Sequence, residues 1–192
     1  MRFRSLVTAG VMTLAIAAFG QAADPAAMDY RVLATSKTST MEKEMNLAAE
    51  TGFKFSTVMG GETAIGGGEV VVVMAKLASD PQTGKATYKL LATSKTSTMQ
   101  KEMQQLGDEG FDYKGQTVFK SAFGGEEVVV IMERAAGPES AKIQYNLLAT
   151  KKTSTMEKEL RDAGASGFVL VGFTVSKTAL GGAEIVSILR KR

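Results

Sequence analysis

Apolar and polar residues alternate along this chain in a rhythm that recurs three times. Tyr30–Leu77, Tyr88–Ala135 and Tyr145–Arg192 are each 48 residues long, align without a gap, and follow one another at offsets of 58 and 57. Self-similarity at such a period marks a repeat architecture. Eighteen of the 48 positions are identical in all three copies. They concentrate around Leu33–Glu44 and Gly66–Glu69, so these two segments carry what every copy needs.

Each copy predicts strand, helix, strand, strand. A short mixed aromatic and aliphatic run forms the first strand: Tyr30–Thr35, Tyr88–Thr93 and Tyr145–Thr150. Next come Met41, Met45, Ala48 and Ala49, at the i, i+4, i+7, i+8 spacing of a buried helical face. The second copy places Met99, Met103 and Leu106 there, and the third Met156, Leu160 and Ala163. Ser39 with Glu42, Ser97 with Gln100 and Ser154 with Glu157 fit a capping box at the helix start. Gly52, Gly110 and Gly167, each followed by Phe, fit a left-handed helix end whose next residue packs back on the last turn.

The second strand begins at that Phe. A Gly-Gly turn (Gly66-Gly67 in the first copy) leads to the third: Glu69–Lys76, Glu127–Arg134 and Glu184–Arg190. Its nearly unbroken β-branched run in the first two copies predicts burial on both faces, and hence a central position between the other two. The first and second strands are then parallel, joined by a right-handed helical crossover.

The fold class is therefore α+β: three tandem βαββ repeats. A three-stranded sheet covered by one helix keeps a bare face. Packing the three bare faces together gives a pseudo-threefold arrangement, sheets inside and helices outside; an extended row or dimer-completed sheets is the alternative. Residues 78–87 and 136–144 are linkers, marked by Asp80-Pro81, Gly84 and Gly137-Pro138.

The N-terminus reads as a signal peptide over residues 1–22. Arg2 and Arg4 precede the apolar run Leu6–Phe19, and small residues at Gly20 and Ala22 suit cleavage after Ala22. Residues 23–29 are a lead-in. The mature chain is expected in the periplasm or outside the cell, with no membrane span. Removing residues 1–22 lowers the net charge from +3 to 21 basic against 20 acidic residues, or +1, which gives no support to a nucleic-acid partner.

Composition narrows the chemistry further. With no His and no Cys, imidazole- and thiol-based catalysis is excluded, and the usual ligands of transition metals are missing. No cofactor is expected, and the chain is read as a non-enzyme. The methionines sit at the helical burial period and read as core filler.

The motifs Tyr88-Lys89-Leu90-Leu91, Glu109-Gly110-Phe111 and Val129–Arg134 resemble a family of small bacterial βαββ domains of unknown function. Gly167–Val171 and Ile188–Lys191 repeat the pattern in the third copy, with Phe where that family has Trp. The resemblance implies the fold and no activity.

One polar segment stands out: Lys37-Thr38-Ser39-Thr40, Lys95-Thr96-Ser97-Thr98 and Lys152-Thr153-Ser154-Thr155. Free N–H groups at a helix start, with hydroxyls and a Lys, form a candidate site for an anion. Capping accounts for Ser39 and Glu42 but does not require Lys37, Thr38 or Thr40. Three functions follow: an exported binding or accessory protein whose partner is an anionic small molecule or another protein, a structural or oligomeric surface protein with no ligand, or a carboxylate- or Lys-dependent enzyme. The repeated Glu44 and Glu69, with Glu102, Glu127, Glu159 and Glu184, supply the carboxylates for the last of these.

Overall fold

The computed structural model describes residues 27–62, 68–79, 85–120, 126–137, 141–177 and 183–192. The signal peptide and the three Gly-Gly turns lie outside the described residues. The first unit comprises β1 (Met28–Thr35), α1 (Thr38–Glu50), β2 (Lys54–Glu62) and β3 (Gly68–Leu77). The second comprises β4 (Thr87–Thr93), α2 (Thr96–Asp108), β5 (Asp112–Lys120) and β6 (Glu126–Arg134). The third comprises β7 (Gln144–Thr150), α3 (Thr153–Ala165), β8 (Val169–Lys177) and β9 (Ala183–Lys191). Each unit is one helix on a three-stranded antiparallel sheet, with orders β1-β3-β2, β4-β6-β5 and β7-β9-β8. The β-branched strand is central in all three, as its composition requires. Strand β1 reaches back into the lead-in by two residues.

The helix ends follow the sequence. Gly52, Gly110 and Gly167 have φ of 87°, 81° and 85°. The Phe53 N–H then donates to the Ala48 carbonyl at 3.3 Å, and Phe111 and Phe168 donate likewise to Leu106 and Ala163. The helix starts do not. The residue before each helix is Lys37, Lys95 or Lys152, and no side chain caps any of the three helices. Ser39 therefore lies inside the first turn, and the capping box is not formed. The turn is set one step earlier, where the Lys37 N–H donates to Thr35 Oγ1 at 3.2 Å; Thr93 and Thr150 serve Lys95 and Lys152 in the same way.

The units form a row. Val129 and Ile131, on the bare face of the second sheet, join a core with Met41, Met45, Val70, Val72 and Met74 on the helix side of the first. Val130 and Met132, on the opposite face of β6, join Met99, Met103 and Ile188 in a second core. Each of these two cores thus starts between a helix and its own sheet and is completed across a joint by the next unit, while Met156, Ala163, Ser187 and Leu189 are buried within the third unit itself. Helix α1 packs on β4 and α2 on β7, while β2 packs on β5. Among the described residues no such packing joins α3 to β1. The extended row thus describes the chain, and the pseudo-threefold packing of bare faces does not. The reason is visible in Tyr30, which is 61% exposed while its counterparts Tyr88 and Tyr145 are 0% and 4% exposed. A closed threefold would bury all three alike.

Candidate functional site

The Lys-Thr-Ser-Thr segments begin the three helices, one on each unit, with Lys37, Lys95, Lys152 and the three serines exposed. Among the described residues no hydrogen bond or ion pair brings one segment to another. Lys95 and Thr96 border a crevice of about 20 Å³, floored by Met99, Val128, Leu147 and Ile188. That volume holds about one water. The geometry assembles no shared polar pocket from these twelve residues.

Carboxylates are used in ion pairs, within the second unit and across the second joint. Glu133 accepts from the Tyr88 hydroxyl at 2.6 Å and pairs with Lys114 at 2.8 Å. Asp112 pairs with Arg190, and with Arg192 at 2.5 Å. Burial pushes the Tyr113 hydroxyl up to about 12. Burial, reinforced by the Glu133 hydrogen bond, also raises Tyr88, and burial with the nearby Asp112 charge raises Tyr145. The Tyr88 hydroxyl donates to Glu133, and that of Tyr145 to the Phe111 carbonyl at 3.1 Å. Among the described residues no three carboxylates cluster as a metal site.

A cavity of about 580 Å³ is an open groove lined by Lys85, Arg134 and Lys142 against Asp108 and Glu109. Its opposed charges nearly balance, so it offers no strong field to an ion of either sign.

The residues that sequence reasoning missed are those at the joints. Each first strand is a sheet edge, with N–H and C=O groups directed away from its own sheet. Side chains of the preceding helix satisfy them. Asn46 accepts from the Tyr88 N–H at 2.9 Å and donates to the Tyr88 carbonyl at 3.0 Å. Glu42 accepts from the Leu90 N–H at 3.0 Å and from Lys89 Nζ at 2.9 Å. In the second joint Gln104 accepts from the Tyr145 N–H at 2.9 Å. Gln100 donates to the Tyr145 carbonyl at 2.9 Å and accepts from the Leu147 N–H at 2.7 Å. The incoming tyrosine also anchors the preceding sheet: the Phe55 N–H donates to the Tyr88 hydroxyl at 2.9 Å, and Tyr113 N–H to that of Tyr145 at 2.8 Å. Phe55 and Tyr113 stand where the strand register shifts, which is where a backbone N–H loses its ladder partner.

At the ends of the row the same positions are uncovered. Among the described residues nine of the ten large exposed apolar side chains lie on the first or third sheet, and none on the second unit. Met28, Tyr30, Val32, Met59 and Leu77 belong to the first, and Val169, Leu170, Phe173 and Val175 to the third. The two end faces are the candidate functional surface. Compared with protein families, with characterised proteins and with solved structures, the chain matches none.

Proposed function

We propose that this chain is an exported, non-enzymatic interaction protein that works through the two ends of its row. The observation that carries the reading is the concentration of exposed apolar side chains at those ends among the described residues. Single exposed apolar residues are ordinary on any surface, whereas clustered ones mark contact sites. The absence of His and Cys and the use of carboxylates in ion pairs favour this over the enzyme reading. The separated helix starts favour it over an anion-binding one.

Photo-reactive residues placed at Val32 and Phe173 test the proposal in the native host. Discrete protein adducts are expected from both positions, and none from Lys101 on the outside of α2. The opposite result would be no adduct at either end, with a phosphate- or sulfate-induced rise in melting temperature that disappears when Lys37, Lys95 and Lys152 become Ala. That pattern would return the function to the helix starts.

A further inference from the structure

The end faces differ from each other, but each has a match inside the chain. The outer face of the first sheet is equivalent to the faces of the second and third sheets that seat on α1 and α2. The helix side of the third unit is equivalent to the surfaces that receive them. Resting on the interaction reading above, we propose that chains associate head to tail, the bare face of one chain's first sheet seating on α3 and β8 of the next. The occupant of each end is thus a second copy of this chain, held in a third version of a joint the chain already makes twice.

Three positions carry the argument. The first is the charge partner of the edge strand. Glu42 meets Lys89 in the first joint, and in the second the equivalent residues are Gln100 and Asn146, both neutral. At the free ends the equivalents are Glu157 and Arg31, acid and base again. Among the described residues Glu157 pairs with its helical neighbour Arg161, the two side chains each 74% exposed, and Arg31 lies over the Phe53 ring at 4.6 Å. Opposite charges have therefore been kept at two ends that do not meet within one chain.

The second is a glycine. In the second joint a Cβ on Gly107 would stand 2.3 Å from the Ile143 carbonyl oxygen, so close approach of the next strand requires Gly there. The equivalent Gly164, in the body of α3, has nothing within 4 Å of such a Cβ. An exposed helical Gly is unfavourable relative to Ala. The first joint accommodates Ala49 at this place, so a strand edge arriving at Gly164 from another chain would repeat the closer approach of the second joint.

The third is the knob of the second strand. Gly115 lies against the Phe55 ring and Gly172 against Tyr113. At the ends the pair is Leu170 and Thr57, a shorter knob over a larger floor.

Two departures weaken this joint relative to the internal ones. Arg161 replaces Asn46 and Gln104, so it donates to the Tyr30 carbonyl but offers no acceptor to the Tyr30 N–H. Phe173 is bulkier than Val58. Association is accordingly reversible. Being heterologous, it leads to a ring if the rotation closes and to a filament if it does not.

Sedimentation of the purified chain over a range of concentrations tests the proposal. The mass is expected to rise with concentration, beyond a dimer. Val32→Lys and Phe173→Lys, both at exposed positions, should each abolish every species above monomer with unchanged circular dichroism. Mixing the two variants should restore a 1:1 dimer and nothing larger, because one keeps an intact tail and the other an intact head. Glu157→Arg should weaken association and Arg31→Glu in the same chain restore it. A wild-type chain that stays monomeric, or a dimer that the mixture fails to rebuild, would overturn head-to-tail assembly. End-position adducts to a different protein alongside a monomeric chain would overturn it too, while leaving the interaction reading standing.

Discussion

At the first joint Glu42 holds Lys89 and the Leu90 N–H, whereas at the second Gln100 holds the Tyr145 carbonyl and the Leu147 N–H. At this one helix position the first joint uses a carboxylate and the second an amide, against the same strand edge. The geometry of the contact is therefore fixed by the stacking of units. The side chain has only to satisfy whichever edge group it reaches.

The largest effect should come from the joint cores. Met45→Ala and Met103→Ala remove fully buried side chains from the first and second cores and should each cost about 2–5 kcal/mol in denaturant unfolding. Leu160→Ala, at the equivalent but half-buried site beside the open end, should cost clearly less. Equal losses at all three would mean that the third unit has a core the joints do not explain.

A middle-sized effect tests the tyrosine anchors. Tyr88→Phe and Tyr145→Phe each leave a strand N–H without its acceptor, and about 1–3 kcal/mol should be lost at either joint. Tyr30→Phe in the monomer should fall within about 0.5 kcal/mol of the parent. The same groups set an alkaline limit. The folded state keeps these hydroxyls protonated above their ordinary value of 10. Their contribution is full below pH 10 and declines as the unfolded chain ionises above it. A Tyr88→Phe, Tyr145→Phe double variant should start lower in stability and lose less of it above pH 10. A parallel decline in both proteins would assign alkaline unfolding to other groups.

The smallest effect should come from exchanging one clamp chemistry for the other. Glu42→Gln gives the first joint the amide of the second. It should shift stability by less than about 1 kcal/mol, since the Lys89 partner is largely solvated, and should flatten the salt dependence. A loss several times larger would show that the carboxylate is needed at the first joint for more than its place.

Much of a single unit was legible in the sequence. The Met spacing, the Gly-Phe helix ends and the valine run of β3 are local signals, and each settles its element within a few residues. The helix start misled because Ser39 and Glu42 have capping spacing, while Thr35 and the next unit compete for the same backbone and side-chain groups. The joints were hidden for a different reason. Identity between copies singles out Lys37 to Thr40, which every unit uses at its own helix start. The clamp positions read Glu42, Gln100, Glu157 and Asn46, Gln104, Arg161 because each faces a different neighbour. Residues that join units vary with the partner, so a search for sameness passes over them.

Because two of the cores are completed by residues of the next copy, a solitary copy would leave part of its apolar surface uncovered until it met another. Tandem duplication turns that encounter into an event within one molecule. Linkers of ten and nine residues hold the second face near the first at an effective concentration on the order of millimolar. Fusion thus lets a weak mutual contact complete a folding core at any dilution and, on the head-to-tail reading proposed above, leaves one unfused contact at each end to respond to how crowded its compartment is.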